Sequence, residues 1–336
     1  MTFQAFQPLT VQNSAFSAIL PFMPRPHTIL LTGPTASGKT SLAIEAALSL
    51  RAREVNLEII NADSVCFYQE FNIGSAKPTM DEMAAVPHHL VNIVHPNENY
   101  HAGQFLRDVA KKLEEIHARG NHAIIVGGSG FYLKALRLGL WEAPPTDENF
   151  RKSLEEISTP LLFEKLVTLD PLHAQKIGAN DRYRIIRALE IMEVGSGATP
   201  SELQALMSSE PDPRFELWVI DREKEELENR IRVRVKKMLD LGWMEETKKL
   251  RALYPESKTL TAVGYRQVID HLESKLPEGR IKKPGEEGLI DEISLSHRQL
   301  AKQQRTWFKN LKPNESFVLD RDTLILKEKL MSFYQK

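Results

Sequence analysis

Apolar positions along the chain follow two periods. Four short runs, at residues 28–31, 57–60, 123–126 and 215–220, are nearly continuous in Ile, Leu, Val, Ala and aromatic residues. They predict buried strands of the kind that a parallel sheet covers on both faces. Elsewhere the apolar residues recur every three or four positions. Residues 41–50, 105–119 (Phe105, Val109, Leu113 and Ile116, closed by Gly120), 221–241 (closed by Gly242) and 289–307 read as amphipathic helices. Residues 148–157, 161–170, 183–192 and 201–207 are helical patterns with no strand among them, which predicts an α-helical insertion between two strands of an α/β core. Residues 68–78 have no period and read as a loop, as do Pro144-Pro145-Thr146-Asp147 and the Pro/Gly-rich stretch 277–288. Residues 316–320 read as a last strand, followed by a short helix.

The first strand runs into Gly33-Pro34-Thr35-Ala36-Ser37-Gly38-Lys39-Thr40 and then directly into a helix. This is the G-x-x-x-x-G-K-[ST] pattern: the glycines let backbone N–H groups curl around phosphate oxygens, the lysine reaches the outer phosphates, and the hydroxyl is placed to ligate Mg²⁺. Asp63-Ser64 ends the second strand, and ligands of doubly wound sheets bind beyond the carboxyl ends of strands, so Asp63 is expected to face Lys39. The third strand ends in Gly127-Gly128-Ser129-Gly130, where a triphosphatase would carry a carboxylate for Mg²⁺. The glycines there suit close backbone approach to a ligand. The adjacent His88 and His89 point in different directions and have no ligand-spaced partner, so His88 reads as a hydrogen-bonding or phosphate-contacting group, or a plain surface residue, and not as a metal ligand. Arg230 and Arg234 lie four apart on one helix face, as do Arg184 and Arg187 at three apart, and Arg298, Lys302 and Arg305 form a basic stripe ending in Trp307 and Phe308.

The fold class these features predict is α/β: a P-loop-type doubly wound, mostly parallel sheet with an inserted small α-helical domain. Residues 28–140 and 211–311 form the core, 141–210 the insertion, 1–27 a poorly ordered N-terminal extension and 312–336 a C-terminal tail. Among 336 residues the formal net charge is −1, so any nucleic acid must be met by local basic patches and not by the global field. A single cysteine, Cys66, excludes an internal disulfide framework and suits a reducing compartment. No apolar run reaches the roughly eighteen residues of a membrane-spanning helix.

Taken together, the phosphate loop, Asn61-Ala62-Asp63-Ser64 with Tyr68, Ile73-Gly74-Ser75-Ala76-Lys77-Pro78, Pro87-His88 and Val126-Gly127-Gly128-Ser129-Gly130-Phe131-Tyr132 resemble the bacterial tRNA dimethylallyltransferases. The match continues in order through Asn180-Asp181, Arg187-Ala188-Leu189-Glu190, Arg230-Ile231, Val263-Gly264-Tyr265-Arg266-Gln267 and Arg298-Gln299-Leu300-Ala301-Lys302, over residues 28–308. The resemblance implies transfer of a dimethylallyl group from its diphosphate to N6 of the adenosine 3′ of the anticodon, with Mg²⁺ at Thr40. It implies Asp63 as the group that accepts a proton from N6 or holds the amine for attack, with Lys39, Thr40 and Arg234 catalytic. Gly33, Pro34, Thr35, Ala36, Ser37, Gly38 and Arg230 would hold the diphosphate. The anticodon stem-loop of tRNA would meet Asp63, Ser64, Val65 and Cys66, then Tyr183, Arg184, Ile185, Ile186 and Arg187, then Thr261, Ala262, Val263, Gly264, Tyr265 and Arg266. Ser129, Arg151, Arg298 and Lys302 complete the implied tRNA set, in a cytoplasmic, monomeric enzyme without a membrane partner. Cys66 stands where many members carry Gln, Ser129 where Thr is commoner, and Gln303 and Arg305 alter the basic order of the last motif. Three other readings share the loop: prenylation of free adenine nucleotides, a small-molecule kinase, and a non-catalytic RNA-binding module. The helical insertion and basic helices weigh against the first, and Asp63 at a strand end against the last.

Overall fold

The computed structural model describes residues 28–140, 147–194, 197–205, 210–275 and 285–335. The N-terminal extension, the linker at 144–146 and residues 277–284 of the Pro/Gly-rich stretch lie outside the described residues. The chain divides into two compact units, one holding Leu138–Pro211 and the other Met23–Arg137 with Asp212–Lys336.

The larger unit is built on a sheet in the order β3-β2-β4-β1-β5-β6, parallel at every pairing. Its strands are β1 (Thr28–Thr32), β2 (Leu57–Asn61), β3 (His88–His89), β4 (His122–Gly127), β5 (Phe215–Asp221) and β6 (Glu315–Val318). Ile29, Leu30 and Leu31 of the central β1 are fully buried, and each such side chain contributes about 1.5–3 kcal/mol of transfer free energy. In chain order the helices between β1 and β4 are α1 (Lys39–Arg51), α2 (Met80–Ala85) and α3 (Ala102–Ala118). A capping box of Thr79 and Glu82 starts α2, and the His101 ring caps α3. Helix α4 (Gly130–Leu138) starts straight after the Gly-Gly turn, where the glycines alone suggest only a loop; Leu133, Ala135 and Leu136 are its buried stripe.

The helical unit contains α5 (Glu148–Ser153), α6 (Thr159–Leu169), α7 (Pro171–Ala174), α8 (Arg182–Val194) and α9 (Pro200–Ala205). Its core is Leu154, Leu162, Leu166, Ala174, Ile185, Ala188, Leu189 and Met192. Asp170 staples it: one oxygen caps α7 through the His173 N–H, and the other accepts the Ser201 N–H of α9.

After β5 the larger unit continues with α10 (Lys224–Asp240), α11 (Trp243–Leu253), α12 (Tyr265–Leu272), α13 (Gly285–Asn310) and α14 (Leu319–Tyr334). Helices α10 to α13 enclose a second core around Trp243, Tyr265, Val268 and Ile293. The segment 312–336 is not a detached tail. It supplies the edge strand β6 and α14, whose Leu326, Leu330 and Tyr334 are buried in the first core, with the Tyr334 hydroxyl donating to the Ala123 carbonyl at 3.0 Å. Among the described residues no helix is long and apolar enough to cross a membrane.

Candidate active site

The carboxyl ends of β1, β2, β4 and β5 carry the phosphate loop, Asp63, Gly127-Gly128 and Asp221-Arg222, the arrangement expected where a parallel sheet binds its ligand. Gly38 has φ of 98°, a left-handed conformation that glycine takes without strain and that turns the loop into α1. Two arginines hold the loop from outside. Arg230 on α10 donates to the Ala36 carbonyl at 3.0 Å, and Arg222 after β5 donates to the Ser37 carbonyl at 2.9 Å. One turn further along α10, Arg234 donates to the Thr35 hydroxyl at 3.1 Å. Tying carbonyls outward leaves loop N–H groups for an anion. The buried Ser37 hydroxyl and Arg234 Nε have no protein partner, which marks unspent hydrogen-bonding capacity at the same place.

Lys39 opens α1, and its ammonium makes no hydrogen bond to the described residues. Burial lowers its pKa to about 8; Arg234 pushes the same way, while the charge of Asp63 and the nearby Cys66 oppose. Burial also lowers the pKa of Arg234, with Asp63 supporting its charge. The charge of the Asp63 carboxylate thus supports both Lys39 and Arg234. One of its oxygens accepts the Val65 N–H at 3.1 Å, and the turn is fixed by the Asn61 side chain accepting the Asp63 N–H at 3.0 Å. The Ser129 hydroxyl accepts the Ser64 N–H at 2.9 Å. Ser129 is therefore a brace between the Asp63 turn and the start of α4.

Several residues of the expected RNA-contacting set are placed otherwise. Tyr265 is fully buried between Phe71 and Trp243 with its hydroxyl donating to Glu246 at 2.7 Å, and Ile185 is fully buried in the helical unit. Neither side chain can reach an RNA, since each fills a core. Cys66 is also buried, its thiol pushed up by that burial and so held protonated. Gly264 lies buried against Trp243. Arg151 and Arg187 both pair with the fully buried Glu190, at 2.9 and 2.5 Å, leaving each guanidinium half-buried and committed. Tyr183 and Arg184 are exposed on α8, Ile186 is half-buried there, and Thr261 and Arg266 are exposed beside the half-buried Ala262 and Val263. Of the basic stripe on α13, Arg298 and Lys302 are exposed, whereas Arg305 turns inward onto Asp221 with two bonds of 2.7 Å. His88 bonds the Val86 carbonyl at 2.7 Å and His89 bonds Glu58 at 2.6 Å, both at the sheet edge. Gly127 approaches the Ala62 backbone just past the end of β2.

Three site residues are invisible to sequence reasoning. Arg222 reads as one more charge at a helix start. Glu246 accepts the N–H groups of Asn72, Ile73 and Gly74 at 2.8–3.1 Å and thereby fixes the loop before Lys77. Gln304 bridges the Thr35 N–H and the Gly128 carbonyl at 2.8 and 2.9 Å. Each acts on a partner more than 170 positions away, beyond any local pattern.

No group of three or more His, Cys, Asp or Glu able to hold a metal occurs among the described residues. The Thr40 hydroxyl fits Mg²⁺ only as one ligand among waters and substrate phosphate oxygens, which is how Mg²⁺ is commonly held.

A family model described as IPP transferase matches residues 66–311. The tRNA dimethylallyltransferase of Chromobacterium violaceum is 38% identical over 297 residues, 85% of this chain and 87% of the relative. That of Thermotoga petrophila is 36% identical over 307 residues, 90% and 95% of the two chains. Among solved structures, a eukaryotic dimethylallyltransferase acting on tRNA superposes with a TM-score of 0.75 at 26% identity, covering 91% of this chain and 78% of that one. The tRNA isopentenylpyrophosphate transferase of Bacillus halodurans gives 0.62 at 28% identity, covering 93% and 97%.

Proposed function

The chain belongs to the IPP transferase family, and from that premise we propose that it transfers the dimethylallyl group of dimethylallyl diphosphate to N6 of the adenosine 3′ of the anticodon in tRNA, in the cytoplasm. The observation that carries this reading is that the carboxyl ends of β1 and β2 bring the Asp63 carboxylate within electrostatic reach of Lys39 and of Arg234, which bonds Thr35 of the loop at 3.1 Å. A cationic cradle suits a departing diphosphate, and a carboxylate beside it suits a proton acceptor.

In the reaction the C1–O bond of the donor breaks and its electron pair leaves with the diphosphate. Charge builds on that leaving group, so Lys39, the loop N–H groups and Arg234 stabilise the transition state more than the ground state. Arg230 and Arg222 keep the loop in shape through the Ala36 and Ser37 carbonyls. The N6 lone pair forms the new bond to C1, and the proton lost from N6 passes to Asp63. Mg²⁺, with Thr40 as its protein ligand, would supply further charge neutralisation at the diphosphate. The target base must leave its stack to reach Asp63. Exposed Tyr183, Arg184, Arg298 and Lys302 offer stacking and phosphate pairing to the surrounding RNA.

Incubation with labelled dimethylallyl diphosphate and, separately, γ-labelled ATP, each with tRNA or AMP, tests the reading. Label in tRNA supports it. Label in AMP alone, or phosphate transfer from ATP, sinks it.

A further inference from the structure

Residues 90–92 turn in a way that their side chains do not favour. Leu90 and Asn92 both have φ of 58°, the left-handed region, which asparagine tolerates but leucine enters only where its surroundings hold it. Lys77 holds this turn. Its ammonium donates to Asn92 Oδ1 at 2.6 Å, to the Tyr68 carbonyl at 2.5 Å and to Asn72 Oδ1 at 3.3 Å, so its three N–H donors tie three stretches of chain together. The loop that carries Lys77 is itself fixed, by Glu246 on the N–H groups of Asn72, Ile73 and Gly74.

What the turn supports is the segment that begins at Asp63. The Leu90 carbonyl accepts from Asn61 Nδ2 at 3.0 Å, and the same carboxamide donates to the Asp63 carbonyl at 3.1 Å and accepts the Asp63 N–H at 3.0 Å. Asn61 and Leu90 are both buried, where a lost bond leaves its partner unsatisfied. The Asn92 N–H reaches the Cys66 carbonyl at 3.1 Å. The chain from Asp63 to Tyr68 is thus held at its start by Asn61, at Cys66 by Asn92 and at its end by Lys77 itself.

We propose that Lys77 is a positioning residue for Asp63: through Asn92 it fixes the left-handed turn whose Leu90 carbonyl seats the Asn61 carboxamide, and Asn61 sets the Asp63 turn. A lysine suits the task because its ammonium has three donors and no acceptor, and the three groups it meets are all oxygens.

The part given to Asp63 rests on the proposed reading, and two measurements keep the two apart. The first needs no reaction. In an NMR spectrum of protein made with isotope-labelled asparagine, the Asn61 side-chain amide pair is assigned by its loss in Asn61→Ser. That pair is expected to shift or broaden in Lys77→Met, which keeps most of the side chain's length and removes its donors. An unmoved Asn61 pair overturns the proposal, whether or not the protein prenylates tRNA. The second is the single-turnover rate of prenyl transfer for the wild type, Lys77→Met, Asp63→Ala and the double variant, with affinity for inorganic diphosphate measured alongside. Lys77→Met is expected to lower the rate by roughly 10- to 100-fold, the scale set by a misplaced catalytic group, and to leave diphosphate affinity within a few-fold. In the Asp63→Ala background the same change should cost less than about 2-fold, because residues that act as a unit are not additive. An unchanged rate in Lys77→Met, a full further loss in the Asp63→Ala background, or a diphosphate affinity that falls with the rate overturns the proposal. Lys77→Gln, which also takes away the ammonium, repeats each comparison should the methionine variant not fold. If the wild type places no label in tRNA, the functional reading fails, and the Asn61 resonance still decides whether Lys77 sets the turn.

Discussion

The Ser129 hydroxyl accepts the backbone N–H of Ser64 at 2.9 Å, and this bond locks the turn that presents Asp63 to the loop after β4. With the turn held there and one Asp63 oxygen accepting the Val65 N–H, the second oxygen is bonded to none of the described residues. A carboxylate placed this way is positioned before the substrate arrives.

Asp63→Ala is therefore expected to cut prenyl transfer by on the order of 10²-fold or more, the usual loss for a general base, while leaving diphosphate affinity within a few-fold. Single-turnover rates and calorimetric titration measure the two separately. Undiminished turnover in the variant would remove Asp63 from the chemistry.

Lys39 gives the reaction an alkaline limit. Its pKa is lowered to about 8, chiefly by burial, so the ammonium is present below that pH and lost above it. The value of kcat/KM for the prenyl diphosphate should fall ~10-fold per pH unit above about 8. The fall in kcat should begin at higher pH, because a bound anion favours the charged lysine. A kcat/KM profile flat to pH 10 would contradict this, and Lys39→Arg, which keeps its charge, should lose the alkaline limb even where its rate is low.

Gly127 carries no room for a side chain. A Cβ there would lie 2.2 Å from the Ala62 carbonyl carbon and oxygen, between the ends of β2 and β4. Gly127→Ala should destabilise the fold by about 3 kcal/mol or more, the upper end for overpacking because the obstacle is backbone, and displace the Asp63 turn with it. At Gly120, where a Cβ meets nothing within 4 Å but φ is +74°, alanine should cost only about 1–2 kcal/mol. Denaturant unfolding ranks the pair; equal losses would disprove the close-approach argument.

Glu190 holds the helical unit by charge. It is fully buried and accepts from Arg151, Arg187 and the Asp147 N–H. Glu190→Ala leaves two half-buried guanidiniums without their partner and should cost about 3 kcal/mol, the lower end for a broken buried pair because water reaches both arginines. Glu190→Gln should cost less. Unfolding followed by a fluorophore in the helical unit measures both, and a neutral Glu190→Ala would show that the triad contributes nothing.

The sequence by itself determined the strands and the phosphate loop. Continuous apolar runs bury on both faces of a parallel sheet, and the loop's glycines, Lys39 and Thr40 act within eight positions of one another. The pairing of Arg230 and Arg234 on one face was legible for the same reason, since helical spacing is local. The two-residue strand His88–His89 has no such pattern and exists only because β2 offers an edge. The burial of Tyr265 and Ile185, the brace from Ser129, the nest at Glu246 and the bridge of Gln304 between Thr35 and Gly128 were decided by the tertiary structure alone. Each depends on a partner that chain connectivity leaves far away and that the fold brings within hydrogen-bonding or packing distance. Polar side chains at such spacings carry no period, so a motif can name the loop but only the fold brings Gln304 between Thr35 and Gly128.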